Sequence, residues 1–208
     1  QSSGPVIALS VSESVSLDPD IANLSAGVTT VAPTAVEAMR QNARQMNAVI
    51  DRIEALGIDE DDIQTSGVNL NAEYDYNQQT REQEFRGYRV MNRVNIVLRD
   101  IQRTGEVLDA LVASGATDLG GIGWEVDDPA PAVEQARQAA FSTARQRAQN
   151  YARLSGYSDI RLLEISEDVT SNAPMPMMRQ AATADVQEQS TPVRPGQIST
   201  GITVNFSF

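Results

Sequence analysis

Arginine and carboxylate are the side chains of this sequence whose type and grouping could do chemistry. The 208 residues contain no His and no Cys, and the 16 basic residues are all Arg, against 28 acidic residues. That composition removes the common general base, thiol nucleophile, Schiff-base amine and transition-metal ligands. Guanidinium stays protonated at any working pH, so it can hold an anion but cannot take its proton. Arg81, Arg86, Arg89, Arg93, Arg99 and Arg103 lie close together along the chain. Their forked donors suit carboxylates and phosphates, on a ligand or on the acidic surface of a neighbouring subunit. On so acidic a chain the neighbouring subunit is the favoured reading. Tyr74, Tyr76 and Tyr88 occupy the same stretch and would serve as interface or core rings, or as sugar platforms.

The carboxylates are grouped in fewer places. Asp59-Glu60-Asp61-Asp62 could hold a hard cation, but it lacks the spacing and distal Glu of a calcium loop and reads as a solvated turn. Asp127-Asp128 stand before Pro129 and Pro131, as a loop entering a helix would. Two suitably separated acids could hydrolyse a glycoside without His or Cys, provided one of them holds its proton in an apolar pocket. A carboxylate-dependent envelope glycan hydrolase is therefore the alternative function. Met175, Met177 and Met178 could bind Cu(I) in a metal-buffering role or be oxidised sacrificially, and otherwise belong to a loop. No catalytic, metal or cofactor-binding residue is assigned. The expectation is a protein without cofactor that binds rather than catalyses.

The formal charge of −12 and a pI near 4.4 oppose broad contact with nucleic acid or an anionic membrane face. An apolar fraction of 41% is enough for a real core. No run approaches the ~18 to 20 apolar residues of a spanning helix. The opening Gln1-Ser2-Ser3-Gly4-Pro5 reads as a mature terminus left after a leader is cleaved. Absence of thiols is compatible with the periplasm.

These residues must be positioned by alternating strands and helices. Val6 to Val15 and Ile21 to Val31 read as strands joined by the turn Asp18-Pro19-Asp20. A helix is expected from Pro33 to Gly57, with a seam of Val36, Met39, Ala43, Met46, Ile50 and Ile53. Val68, Leu70, Ala72, Tyr74 and Tyr76 alternate with polar residues as a half-buried strand. A turn at Asn77 to Thr80 leads to a second strand with Tyr88, Val90, Val94, Ile96 and Leu98 on one side. This long hairpin carries Arg89, Arg93 and Arg99 on its other face. A second helix is expected from Asp100 to Gly115, burying Val107, Leu108, Leu111 and Val112, and then a short strand with Trp124. A third runs from Pro131 to Gly156, with Val133, Ala136, Ala140, Ala144 and Ala148 on one face. Strands over Ile160 to Val169 and through Ile202, Val204, Phe206 and Phe208 complete the chain, with 171–197 as a flexible loop or excursion.

Several segments in this order resemble the SIMPL-domain family, whose bacterial members include the YggE-like periplasmic oxidative-stress-defence proteins. They are Pro19-Asp20 with Gly27-Val28, Leu56-Gly57-Ile58, Asp62-Ile63-Gln64-Thr65-Ser66, Gly87-Tyr88 with Asn92, and Val97-Leu98-Arg99-Asp100. Leu108-Asp109-Ala110, Gly115-Ala116, the Ala-rich helix, Ile165-Ser166-Glu167 and Pro195-Gly196 follow. The chain departs from the family at Ala72-Glu73, where Pro is frequent, and at Arg145 and Arg147, where Lys is usual. The resemblance implies an exported bacterial α+β protein, periplasmic or attached to the outer envelope, self-assembling, and linked to stress defence or envelope maintenance. It offers no catalytic residues to transfer. The expectation is therefore one domain over 1–208, with antiparallel strands packed against three helices. The long hairpin, with its arginines and tyrosines, projects as the arm of a homo-oligomer that could also meet envelope proteins.

Overall fold

A computed structural model describes residues 5–171 and 190–208. In chain order the elements are β1 (Ala8–Leu17), β2 (Ile21–Ala32), α1 (Ala35–Ala55), β3 (Ile63–Asn77), β4 (Glu82–Leu98), α2 (Thr104–Ala113), β5 (Asp118–Leu119), β6 (Gly123–Glu125), α3 (Ala130–Leu154), β7 (Glu164–Ser171) and β8 (Ile198–Ser207). The fold is α+β, with antiparallel pairing throughout. The described residues form two compact units that divide at Pro19/Asp20, Glu125/Val126 and Arg194/Pro195.

The first unit has β1, β8 and β7 in a three-stranded sheet, with β8 in the centre. The strict alternation of β8 aims Ile202, Val204 and Phe206 at one face, where α3 presents Ala136, Ala140, Ala144 and Ala148. Alanines at every fourth position make a stripe thin enough for the helix to lie close on the sheet. The buried stripe begins at Ala132 and extends to Ala152.

The second unit carries a five-stranded sheet ordered β3-β4-β2-β5, with β6 also on β2. Ala22, Leu24, Ala26 and Val28 of β2 and Val94, Ile96 and Leu98 of β4 pack on Met46, Val49 and Ile53 of α1 and Val107 and Leu111 of α2. Residues 190–194 also belong to this unit, where the Thr191 hydroxyl and Asp109 Oδ1 are 2.7 Å apart. Of the expected excursion 171–197, residues 172–189 lie outside the described residues.

Local signals placed most elements and missed some partners. Gly57, Gly115 and Gly156 follow the three helices at positive φ of 87°, 111° and 83°, the left-handed conformation that ends a helix. Helix α1 starts at Ala35 rather than Pro33 because the Thr34 hydroxyl accepts the Glu37 N–H at 3.2 Å, a side-chain cap on an exposed backbone donor. Its buried face is Ala38, Asn42, Met46, Val49 and Ile53. Val36 and Met39 of the expected seam are 67% and 41% exposed, so the helix is rotated about its axis from that reading. The second helix is interrupted at its start: Ile101–Arg103 is a 3₁₀ turn without a side-chain cap from Asp100, and Val112 is exposed. The turn at Asp18-Pro19-Asp20 does not close a hairpin. It passes the chain from β1, paired with β8, to β2, paired with β4.

Candidate functional site

Strands β3 and β4 build the longest hairpin, and its turn is organised by one side chain. Asn77 Oδ1 accepts the Gln79 and Thr80 N–H groups at 2.9 and 3.3 Å, while its Nδ2 donates to Glu84 Oε1 at 2.7 Å. Arg81 closes the turn at φ 58°. β2 pairs β4 only as far as the Ala32–Tyr88 rung. Beyond it, from Glu73 and Gly87 outward, the hairpin is a two-stranded arm. Register shifts occur between Thr65 and Gly67 and between Glu73 and Tyr74, irregularities of the kind that bend a strand and raise its local twist.

The arginines of the hairpin find acids on their own chain. Arg86 Nε lies 2.7 Å from Asp75 Oδ2 across the arm. Arg89 pairs with Glu73, Nε donating at 2.6 Å. Arg93 pairs with Asp118 of β5 and also donates to Ser25 Oγ at 3.2 Å. Arg99 forks onto both oxygens of Asp62 at 2.8 and 2.9 Å, and Arg103 forks onto Glu106 at 2.8 and 3.0 Å. Donation to the Glu106 carboxylate raises the Arg103 pKa, and the same hydrogen bond lowers the Glu106 pKa. Between Arg81 and Arg103 the chain itself carries only Glu82, Glu84 and Asp100 as acids. Cross-strand register brings Glu73, Asp75 and Asp118 beside the stripe and neutralises much of it.

The tyrosines are on the opposite face. Tyr88 follows the period of Val90 and packs on the buried cluster of Ala32, Ala38 and Val90. From there Phe85 meets Tyr88 edge-on at 5.3 Å and Tyr74 meets Phe85 at 5.7 Å. The ladder leads out of the core onto open surface: Tyr74, Tyr76 and Phe85 are 57%, 60% and 50% exposed. Val68 and Leu70 of β3 are 49% and 44% exposed, more open than the half-buried strand expected there. Of the residues singled out for an interface, Tyr74 and Tyr88 therefore converge with Phe85, while Arg86, Arg89 and Arg93 face away from them. Phe85, Val68 and Leu70 are the residues that sequence reasoning missed. The signal was present in the alternation of β3, whose apolar side needs a cover that α1 supplies chiefly over β2 and β4.

The other candidates resolve into structural roles. Asp59 Oδ1 accepts the Asp61 N–H at 3.0 Å, and the Asp62 carboxylate is taken by Arg99. Asp128 Oδ1 accepts the Ala130 N–H at 3.0 Å, as a residue entering a helix does. Among the described residues no group of three or more acids is placed to hold a metal ion. Glu134 and Glu167 both contact Arg137. Hydrogen bonds from Gln138 and then Arg137 lower the Glu134 pKa, and the Arg137 hydrogen bond lowers that of Glu167, the reverse of what a glycosidase general acid needs. Met175, Met177 and Met178 lie outside the described residues. No described helix is long and apolar enough to cross a membrane.

Comparison with known proteins adds the family. The SIMPL model, described as a protein of unknown function (DUF541), matches residues 7–208. The 26 kDa periplasmic immunogenic protein of Brucella melitensis is 31% identical over 196 residues, 91% of this chain and 78% of that protein. The uncharacterized protein YggE of Escherichia coli is 30% identical over 190 residues, 90% of this chain and 76% of that protein. YggE of Edwardsiella ictaluri is 26% identical over 188 residues, with 90% and 78% covered. With its α+β sheets and relatives named as periplasmic, the chain belongs to the SIMPL family as a bacterial periplasmic member.

Proposed function

We propose that this protein is a non-enzymatic, self-associating envelope protein that acts in oxidative-stress defence or envelope maintenance by binding and scaffolding. The observation that carries the association is the exposed apolar row of Val68 and Leu70 on edge strand β3, continued by Tyr74 and Phe85 on the hairpin arm. Exposed apolar surface of this kind, beside the unpaired backbone of an edge strand, is what a symmetric partner covers. Tyr74, Tyr76 and Tyr88 supply rings suited to an interface, and Arg81 at the hairpin turn supplies charge at its end, whereas Arg86, Arg89 and Arg93 on the opposite face stay paired with their own chain's acids. The stress role rests on the resemblance to YggE-like proteins, and the family match spans both compact units, which supports treating 1–208 as one functional domain.

Light scattering on the purified chain tests the association. The expected result is a mass that is a multiple of 22.5 kDa, falling to the monomer in the Leu70→Asp/Phe85→Asp variant with unchanged circular dichroism. A strictly monomeric wild type at micromolar concentration overturns it. Peroxide survival of a strain lacking the protein tests the role: wild type restores it and the double variant does not.

A further inference from the structure

A cavity of about 540 Å³ opens in the first unit, between the start of β1, the end of α3 and residues 157–163. Phe208 and Ala152 in its lining are buried, and Ile7, Leu9 and Ile160 are half-buried. Its size falls within the ~300 to 1,000 Å³ of small-molecule sites, and a mostly apolar lining with a few polar groups is their usual composition.

The polar groups are of opposite sign. Asp159 and Arg161, two residues apart, both line the cavity. Arg86, Arg89, Arg93, Arg99, Arg103 and Arg137 are closed onto acids of this chain and so are not free to take a ligand. Among the described residues, Asp159 and Arg161 form no ion pair with each other or with another side chain. Asp159 Oδ1 accepts the Ile160 N–H at 2.8 Å, which fixes the carboxylate and leaves Oδ2 for a ligand. An anion alone would meet Asp159 and a cation alone would meet Arg161. A molecule bearing both charges satisfies each of them.

We propose that this cavity binds a small zwitterion with an apolar side chain. Its ammonium group sits on Asp159, its carboxylate on the Arg161 fork, and its apolar group among Ile7, Leu9, Ile160 and Phe208. Free apolar amino acids and apolar dipeptides share this chemistry and differ in the separation of their charges. The site lies within one unit and does not depend on association through the hairpin.

Isothermal titration of the full chain tests it with L-phenylalanine, a phenylalanyl-leucine dipeptide, L-phenylalaninamide and N-acetyl-L-phenylalanine. Saturable binding of the amino acid or the dipeptide is expected, and whichever binds identifies the charge spacing. Each compound lacking one charge should bind about tenfold or more weakly. Arg161→Gln should weaken the zwitterion about tenfold and leave the amide unchanged, and Asp159→Asn should weaken it similarly and leave the N-acetyl compound unchanged. Both side chains are exposed, so the variants keep the fold, as circular dichroism would check. Absence of saturable binding by both zwitterions, equal binding of the half-charged compounds, or unchanged affinity in both variants overturns the proposal.

Discussion

Asn42 shows how one polar side chain can govern a packed face. It is 2% exposed and its Nδ2 donates to the carbonyls of Val28 and Val90 at 2.9 and 3.3 Å, tying α1 to β2 and β4 together. An apolar replacement loses both bonds, and Asn42→Leu should lower stability by about 2–3 kcal/mol in urea unfolding. At Glu167 the hydrogen bond from Arg137 lowers the carboxyl pKa. A carboxyl with a depressed folded pKa adds stability above its unfolded value, 4.5, and that stability is lost as pH falls through the folded one. Glu167→Gln should therefore be less stable than wild type at neutral pH, with the difference narrowing as pH falls below 4.5. A constant difference across that range would assign the cost to packing.

Among the elements, the hairpin depends on its bulge. Gly87 has φ 133°, and a Cβ there would stand 2.6 Å from the Ala32 carbonyl oxygen. Only glycine tolerates both that dihedral and that approach. Gly87→Ala should cost about 1–3 kcal/mol by thermal unfolding and disturb the rings of Tyr88 and Phe85 beside it. The helices were legible at their C-terminal ends, where Gly57, Gly115 and Gly156 act locally, while the expected starts at Pro33 and Asp100 moved to Ala35 and Thr104. Their rotation was less so. The expected seam on α1 was chosen for hydrophobicity, whereas the sheet accepts Ala38 and Asn42, one small and one able to bond strand carbonyls. Strand β1 was recognised by its alternation, but its partner β8 lies nearly the whole chain away.

For the molecule as a whole, the charge of −12 sets how copies meet. Like-charged copies repel, and salt screens that repulsion. Association through Val68, Leu70, Tyr74 and Phe85 should therefore persist or strengthen between low salt and about 0.5 M NaCl, because burial of apolar surface does not weaken with screening. An assembly held by the arginines against a neighbour's acids would weaken over the same range. Light scattering across a salt series separates the two. Pairing of Arg86, Arg89 and Arg93 with their own chain's acids favours the first outcome.

Taken alone, the sequence determined the α+β class, the C-terminal ends of the helices, the alternating strands, the alanine stripe of α3 and the absence of side chains that titrate near neutrality. Each follows from rules acting over a few residues or from composition. The tertiary structure decided that β1 and β2 enter different sheets, that arginines and tyrosines of one hairpin face opposite ways, and that Asp159 and Arg161 line one cavity. The physical reason is that pairing register, bulges and packing join residues far apart along the chain, and no local pattern carries the identity of a distant partner.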